Sequence, residues 1–123
     1  MDKVSISIPA SPEYLQVVRL IAAGLASRLG FTIDEIEDLK IAVDELCAYL
    51  TGTQGRDGDL NITFGVEGSG LSITGTATLA PGQKVRTELT EFSQMILSTV
   101  VDEARLDQAN GVPGFTLSKM KSE

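Results

Sequence analysis

The sequence contains no histidine and only one cysteine, Cys47. The lack of histidine excludes catalytic triads and metal sites that depend on imidazole. A lone cysteine excludes a disulfide within the chain and favours a cytoplasmic location. Because Cys47 falls on the apolar stripe of a predicted helix, we interpret its thiol as part of the core and not as a reactive group.

Positive charge and long apolar runs are also scarce. The chain has 10 Lys and Arg residues against 17 Asp and Glu residues, a formal net charge of −7. Nucleic acid is not expected as a partner, because phosphate binding needs clustered Lys and Arg. No apolar run approaches the roughly 18 residues that span a membrane, and the start, MDKVSISIPA, lacks the apolar segment of a signal peptide. With 123 residues, 42% of them hydrophobic, the chain suits one domain over 1–123.

The N-terminal half predicts a strand followed by two helices. Apolar residues alternate with serine over residues 4–8, as in a strand with one buried face. The Ser-Pro pair at 11–12 is typical of a helix start, with Ser11 as the cap, and the first helix is expected to end at Gly30. Thr32 opens a T-x-x-E capping box for the second helix, which is expected to end at Gly52.

The C-terminal half predicts two hairpins separated by a helix. Strands at 60–64 and 71–73 are joined by the turn EGSG, and a final hairpin turns at Asn110-Gly111. A third helix is expected over 87–103, with one apolar side formed by Leu89, Phe92, Ile96, Thr99 and Val100. The order β-α-α-β-β-α-β-β predicts an α+β two-layer sandwich, in which three helices cover one face of a mostly antiparallel five-stranded sheet.

This element order, with the stretch KIAVDELCAYLTG at residues 40–52, resembles the GHKL (Bergerat-fold) ATPases, and most closely the anti-sigma-factor serine kinases of the RsbW type. The matching residues are concentrated in 8–50, with a further stretch, ILSTVVDEARLDQANG, near the end. In this family a Glu on the second helix orients or activates the attacking hydroxyl, and an Asn four residues later holds magnesium. The resemblance assigns the first role to Glu45. Tyr49 stands where the Asn is expected, and a phenol is a poor magnesium ligand.

Two further motifs of the resembled family are unmatched. The family reads adenine with the Asp of a D-x-G-x-G after the third strand, but the corresponding stretch TGTATLAPGQ has no Asp, and Thr76 or Thr78 would not fully replace a carboxylate. The family's G-x-G before the last helix brings bare amides to the phosphates. Here Glu91 and Ser93 occupy the glycine positions, and the lid between strand and helix is expected to be short, from about 80 to 86. We therefore expect a Bergerat-like shell with a degenerate nucleotide site, no resident cofactor and no metal.

Individual residues allow alternative interpretations. Glu45 is either a remnant of the catalytic carboxylate or a solvated or salt-bridged helix acid. The ring of Tyr49 is expected to fill the vacated pocket and not to coordinate an ion. Arg19 on the first helix matches a family arginine that contacts the sigma factor, and its plain alternative is an exposed surface arginine.

Three functional hypotheses follow. The first is an anti-sigma-factor-like regulator that acts by binding a sigma factor or an anti-sigma-factor antagonist, as a homodimer if it follows the family, and without ATP. The second is an active ATP-dependent serine/threonine protein kinase that phosphorylates such an antagonist and uses magnesium. The third is a small α+β binding module unrelated to the family. The second hypothesis makes the chain an enzyme, whereas the unmatched motifs favour a non-enzymatic role.

Overall fold

Five strands form one antiparallel sheet in the computed structural model, which describes residues 2–122. They are β1 (Asp2–Pro9), β2 (Gly58–Glu67), β3 (Gly70–Leu79), β4 (Glu103–Ala109) and β5 (Val112–Met120). Their order across the sheet is β1-β2-β3-β5-β4, so that β1 and β4 are the two edges. Because β1 pairs with β2 along its full length, the first strand joins the sheet, as the family resemblance requires.

Three helices pack on one face of this sheet: α1 (Leu15–Leu29), α2 (Ile33–Thr51) and α3 (Glu91–Val100). A short 3₁₀ turn at Pro12–Tyr14 precedes α1, and Gly30 ends α1 in the left-handed conformation with φ 86°. Ser11 stands before the turn in extended conformation, but its side chain makes no capping hydrogen bond. That part of the prediction is wrong, since Pro12 alone sets the first turn.

The start of α2 matches the sequence prediction in detail. Thr32 Oγ1 accepts a hydrogen bond from the Glu35 amide at 3.1 Å, and Glu35 Oε1 accepts one from the Thr32 amide at 2.8 Å. This reciprocal arrangement is the capping box that the T-x-x-E pattern predicts. At the other end, the amide of Gly52 donates to the Ala48 carbonyl and the chain leaves the helix.

The core lies between the helices and the inner face of the sheet. Its largest fully buried side chains come from both layers, and they include Phe64, Phe115, Leu39, Leu46 and Ile73. Cys47 belongs to this core. Burial, followed by the nearby Asp44 charge, raises the pKa of the Cys47 thiol to about 12, so the interpretation of Cys47 as a core residue is confirmed.

Both predicted hairpins are present. The EGSG turn joins β2 and β3, which are longer than the predicted 60–64 and 71–73 because their pairing continues out to Glu67 and Gly70. At the second turn, Asn110 and Gly111 both have positive φ, 54° and 79°, as a two-residue hairpin turn requires.

The third helix is shorter than predicted and turned differently. It covers Glu91–Val100 and not 87–103, because Thr90 caps its start and Val101 adopts extended geometry at its end. Phe92, expected on the buried side, is 66% exposed, whereas Ser93, Leu97 and Val100 face inward. Within residues 2–122, no helix is both long and apolar enough to cross a membrane.

Candidate functional site

The candidate site lies where α2 meets the first turn of α3. Glu45 and Tyr49 are one turn apart on α2, and both side chains reach toward the start of α3. Thr90 and Ser93 meet them from α3, and Ala48 completes the lining of a shallow pocket of about 270 Å³. The structure thus brings Glu45, Tyr49 and Ser93 together, although the sequence placed Glu45 and Tyr49 in one family motif and Ser93 in another.

Ser93 is the centre of a hydrogen-bond network at this site. Its Oγ donates to Glu45 Oε2 at 2.9 Å and contacts Tyr49 Oη at 2.7 Å and Thr90 Oγ1 at 3.0 Å. A hydroxyl carries one proton, so Ser93 accepts from both Tyr49 and Thr90 while it donates to Glu45. Ser93 is 4% exposed, and the proton and both lone pairs of its hydroxyl are used in these three hydrogen bonds.

The same network occupies the amide groups that begin α3. The Thr90 amide donates to Tyr49 Oη at 3.1 Å, and the Ser93 amide donates to Thr90 Oγ1 at 3.0 Å. Burial raises the pKa of the Tyr49 phenol, but the bonds that Ser93 and Thr90 donate to the ionised phenolate outweigh burial and leave that pKa below its usual value. The amides of Thr90 and Ser93, which would otherwise be free to bind an anion at the start of α3, are therefore already hydrogen-bonded within the chain.

Glu45 is hydrogen-bonded to α3 and belongs to no ion pair in the described part of the chain. The residue is half-buried, and its carboxylate accepts from a neutral hydroxyl. The ion pairs among residues 2–122 are Arg19–Asp44 and Lys40–Glu37, neither of which includes Glu45. The salt-bridged alternative is therefore not seen, whereas the solvated alternative is not tested, because the carboxylate is only half-buried. The catalytic-remnant hypothesis stays a prediction.

The side chains at this site do not suit a magnesium–nucleotide complex. Mg²⁺ prefers carboxylate, amide and phosphate oxygens in octahedral geometry, whereas this pocket offers one carboxylate and a phenol that is already hydrogen-bonded. In the described part of the chain, no group of three or more Asp, Glu or Cys side chains is placed to hold a metal ion. Thr76 and Thr78 lie on the exposed face of the sheet, where Thr78 accepts from Asn61, and thus on the side opposite the helices.

Arg56 is a structural contributor that the sequence interpretation missed. Its Nε donates to the Leu50 carbonyl at 2.9 Å, and its Nη1 donates to the Lys84 carbonyl at 2.9 Å. It thereby joins the C-terminal end of α2 to the segment between β3 and α3. That segment runs over residues 80–90 and is longer than the predicted 80–86, because α3 starts later than expected. An arginine shortly after a helix end was the available signal, since its guanidinium can bind the last carbonyls.

Arg19 lies on α1, away from this pocket, and its side chain reaches across to α2. Its Nη1 contacts Asp44 Oδ1 at 2.6 Å, and the two side chains are 30% and 50% exposed. Arg19 is therefore a surface arginine with an ion-pair partner.

Known serine-protein kinases are similar to this chain in sequence. The serine-protein kinase RsbW of Bacillus subtilis (strain 168) is 46% identical over 68 residues, which cover 53% of this chain and 42% of the relative. The RsbW protein of Bacillus pumilus (strain SAFR-032) is 42% identical over 78 residues, covering 59% of this chain and 48% of the relative. The chain resembles the RsbW serine-protein kinases. The RsbW matches span less than half of either relative's length, and no family model matches the chain.

A solved structure shows that the RsbW likeness extends to the fold. The crystal structure of the RsbU and RsbW domains of Rv1364c from Mycobacterium tuberculosis superimposes with a TM-score of 0.70 at 18% sequence identity. The superposition covers all of this chain and 33% of that one. The RsbW-like α+β sandwich predicted from the element order is therefore confirmed.

Proposed function

We propose that this chain is an anti-sigma-factor-like regulatory protein that acts by protein–protein binding in a partner-switching pathway, without binding ATP. The observation that carries the proposal is the closed contact between α2 and α3, where Tyr49 and Ser93 bind each other and the start of α3. A triphosphate would have to displace these contacts. The likeness to RsbW supports a role in the same class of regulation.

The expected partner is a sigma factor or an anti-sigma-factor antagonist. The net charge of −7 favours a protein partner over nucleic acid. Arg19 is proposed as a partner contact, because its partly exposed guanidinium is held at the outer surface of the helix layer by Asp44. Phe92 and Met95 add exposed apolar surface on α3. A homodimer and a cytoplasmic location complete the proposal, the latter supported by the lone, buried cysteine.

A thermal-shift experiment with ATP and magnesium tests the absence of nucleotide binding. A ligand that binds only the native state must raise the melting temperature, so we expect no shift at millimolar ATP. The serine-protein kinase RsbW of Bacillus subtilis serves as the positive control. A magnesium-dependent shift of the wild-type chain would contradict the proposal. A shift that appears only in Tyr49→Asn would locate the block at Tyr49.

An active serine/threonine kinase is the second candidate function. One observation favours it besides the name of the relatives: the Glu45 carboxylate already accepts a hydrogen bond from a serine hydroxyl, as a residue that orients a hydroxyl for phosphoryl transfer would. Incubation with radiolabelled ATP, magnesium and a captured protein partner tests it. Incorporation of phosphate that is lost in Glu45→Ala would establish the kinase and overturn the binding-only function.

Partner binding is tested separately by capture from the native cell. The tagged chain is expected to retain a sigma factor or antagonist, identified by mass spectrometry. Arg19→Ala should weaken this capture, whereas Arg28→Ala, at the far end of the same helix, should not. Equal capture by both variants would remove Arg19 from the proposed interface while leaving the capture itself as evidence of the partner.

A further inference from the structure

The last edge of the sheet, β4, has no neighbouring strand on its outer side within residues 2–122. The turn that follows β4 shows which of its residues this leaves without partners. Asn110 and Gly111 form a two-residue hairpin turn, so the flanking Ala109 and Val112 are a hydrogen-bonded pair. Bonded and non-bonded pairs alternate along an antiparallel ladder, and the odd-numbered residues of β4 therefore bond to β5.

The even-numbered residues of β4 direct their amide and carbonyl groups away from the sheet. They are Ala104, Leu106 and Gln108, and their backbone groups form an outward ladder. The ladder begins at Ala104, because the Asp102 amide already donates to the Ser118 carbonyl at 3.1 Å. An outward ladder of this kind is a template on which another extended chain can add as a further strand.

An apolar groove runs between this ladder and α3. Its cavity of about 350 Å³ is lined by Leu89, Leu97 and Val101 from the helix side and by Ala104 from the strand. Ala104 and Leu106 pack inward against the core, yet both are only half-buried. A strand added to β4 would direct every second side chain toward this groove, and apolar side chains there would remove the remaining surface from water.

The opposite face of β4 carries charges of alternating sign. Glu103, Arg105 and Asp107 are exposed, and none of the three belongs to an ion pair in the described part of the chain. Charges on an edge strand deter pairing with other chains in general. A row of alternating sign, however, attracts a strand whose own charges alternate in the opposite sense, because oppositely charged residues that face each other across two strands stabilise the pair.

We propose that the β4 edge binds an extended segment of a different protein, which joins the sheet as a sixth strand. On one face of this segment, apolar residues lie opposite Ala104 and Leu106 and enter the groove beside α3. On its other face, a basic, an acidic and a basic residue lie opposite Glu103, Arg105 and Asp107. The backbone ladder contributes affinity, whereas the groove and the charges select the segment.

A second copy of β4 fits this edge less well than such a segment. A two-fold axis at Leu106 is the antiparallel register that pairs all three outward residues with those of a second copy. In that register each Ala104 lies opposite a Gln108, so the apolar groove would receive an amide side chain, which loses its hydration there. The groove therefore favours an apolar residue from another sequence.

The β4 site is separate from the partner contact proposed at Arg19. Arg19 lies on α1, and α2 packs between α1 and α3, so the groove beside α3 is at the other margin of the helix layer. The site goes beyond the proposed function, since neither surface needs the other, and each is tested by different variants.

A designed peptide with the alternating pattern tests the site. The peptide Thr-Lys-Leu-Glu-Leu-Lys-Thr reads the same in both directions, so it presents the pattern whether it adds parallel or antiparallel to β4. We expect it to bind the wild-type chain in a fluorescence anisotropy titration and to slow amide hydrogen exchange at Ala104, Leu106 and Gln108. Exchange at Arg105 and Asp107, whose amides already bond to β5, should change little.

A control peptide of the same composition, Thr-Leu-Lys-Glu-Lys-Leu-Thr, directs either lysines or a glutamate into the groove. It should bind at least about tenfold more weakly, because a charged group loses its hydration there. Equal affinity for the two peptides, no binding of either at millimolar concentration, or slowed exchange confined to another part of the chain would overturn the proposal.

Charge reversal tests which residues face each other. Arg105→Glu should weaken binding of the first peptide about fivefold, since an attraction across the strands becomes a repulsion, and a peptide with Lys in place of its Glu should restore the affinity. Arg28→Glu is the matched control, because it changes an exposed arginine on α1 and gives the same net charge. If Arg105→Glu binds the first peptide as tightly as Arg28→Glu does, the proposed register is wrong.

Proline and alanine at one position separate the backbone from the side chain. Gln108→Pro removes one outward amide and no bond to β5, so it should stay folded by circular dichroism and bind the peptide about fivefold more weakly. Gln108→Ala keeps the amide and should bind as the wild type does. Wild-type affinity in a folded Gln108→Pro would overturn the backbone ladder.

Sedimentation without peptide distinguishes a second copy from a different protein. Gln108→Pro and the wild-type chain should sediment alike, because β4 is not expected to pair with itself. A change in oligomeric state in Gln108→Pro alone would show that a second copy occupies the edge and would overturn the proposal. No ATP or captured partner enters these assays, so the proposed function is judged separately.

Discussion

Asp44 and Glu45 are neighbours in sequence, but α2 directs their carboxylates toward different helices. Asp44 meets Arg19 of α1 at 2.6 Å in an exposed ion pair. Glu45 meets Ser93 of α3 at 2.9 Å in a half-buried network of neutral hydroxyls. The shorter contact, between opposite charges, is the one that solvent screens most. We therefore expect burial and complete hydrogen bonding, more than formal charge, to decide which contact fixes a helix.

The α2–α3 contact also explains how Tyr49 fits its position. The phenol places a hydroxyl at the end of a long, flat ring, which reaches the Thr90 amide and Ser93 Oγ together. Tyr49 thus caps α3 from a neighbouring helix. The sequence predicted only that the Tyr49 ring fills the pocket, and the structure adds these hydrogen bonds of its hydroxyl.

Ser93→Ala should have the largest effect among the changes that compare the two contacts. It removes the hydroxyl that joins the network, leaving the Glu45 carboxylate without this donor and the Tyr49 hydroxyl with only its long contact to Thr90 Oγ1 at 3.5 Å. Groups left unsatisfied in a half-buried site cost about 1–3 kcal/mol, and we expect this loss in the free energy of unfolding by urea at unchanged m-value. Ser98→Ala is the matched control on the same helix. Its hydroxyl is exposed and bonds locally to the Met95 carbonyl, so a change within about 0.5 kcal/mol is expected.

A double-mutant cycle shows whether the hydrogen bonds around Ser93 contribute to stability as one network. Tyr49→Phe removes the phenolic oxygen and keeps the ring. Residues in one network couple by about 0.5–3 kcal/mol, so the double variant with Ser93→Ala should lose less stability than the two single variants added together. Strict additivity would contradict the network.

The fold was predictable where local signals mark the ends of elements. Thr32, Glu35 and Gly52 act within one helical turn of the positions they define, and the bounds of α2 follow from them. The bounds of α3 did not follow, because Leu89 and Phe92 fit a helical spacing although Thr90 caps the helix between them. Phe92 then stays exposed, since an apolar residue need not be buried.

The site was predictable only where it depends on a single helix. The spacing of Glu45 and Tyr49 is a property of α2, and their shared face could be read from it. Their contact with Ser93 joins residues more than forty positions apart, and it depends on how the lid positions α3. The contact of Arg56 could not be predicted for the same reason, because its acceptor, the Lys84 carbonyl, is positioned by tertiary packing.

Glu35 shows how backbone hydrogen-bond donors change the pKa of a partly exposed carboxylate. Its side chain is partly exposed, whereas Asp44 is exposed, and it accepts from fixed backbone amides of Thr32 and Ser122, each at 2.8 Å. Bonds from these two amides lower the pKa of Glu35 from 4.5 to about 2. A depressed carboxyl pKa stabilises the fold above the unfolded value, and the benefit is lost as pH falls from about 4.5 toward 2. Glu35→Gln should thus lower the melting temperature at pH 7, and the difference from wild type should shrink across that acidic range.

Carboxyl NMR titration checks the cause. The Glu35 midpoint should lie near 2, and a midpoint near 4.5 would show that the backbone contacts do not hold in solution. Glu37→Gln is the matched control, because it removes the same charge two residues further along α2, where Glu37 forms an exposed pair with Lys40. Its effect on the melting temperature should be smaller than that of Glu35→Gln.

The Arg19–Asp44 pair should show the smallest effect. Exposed ion pairs contribute about 0.2–1 kcal/mol, because solvent screens the charges and two long side chains lose freedom. A cycle of Arg19→Ala and Asp44→Ala should give a coupling in this range that falls as salt is raised. The control cycle replaces Asp44→Ala by Glu45→Ala, which removes the neighbouring acid that faces α3, and its coupling with Arg19 should be close to zero. An Arg19–Asp44 coupling above that of Tyr49 and Ser93, insensitive to salt, would reverse the comparison. The ion pair, and not the hydroxyl network, would then fix the helix layer. Arg19 would be bound to Asp44 too strongly to contact a partner protein.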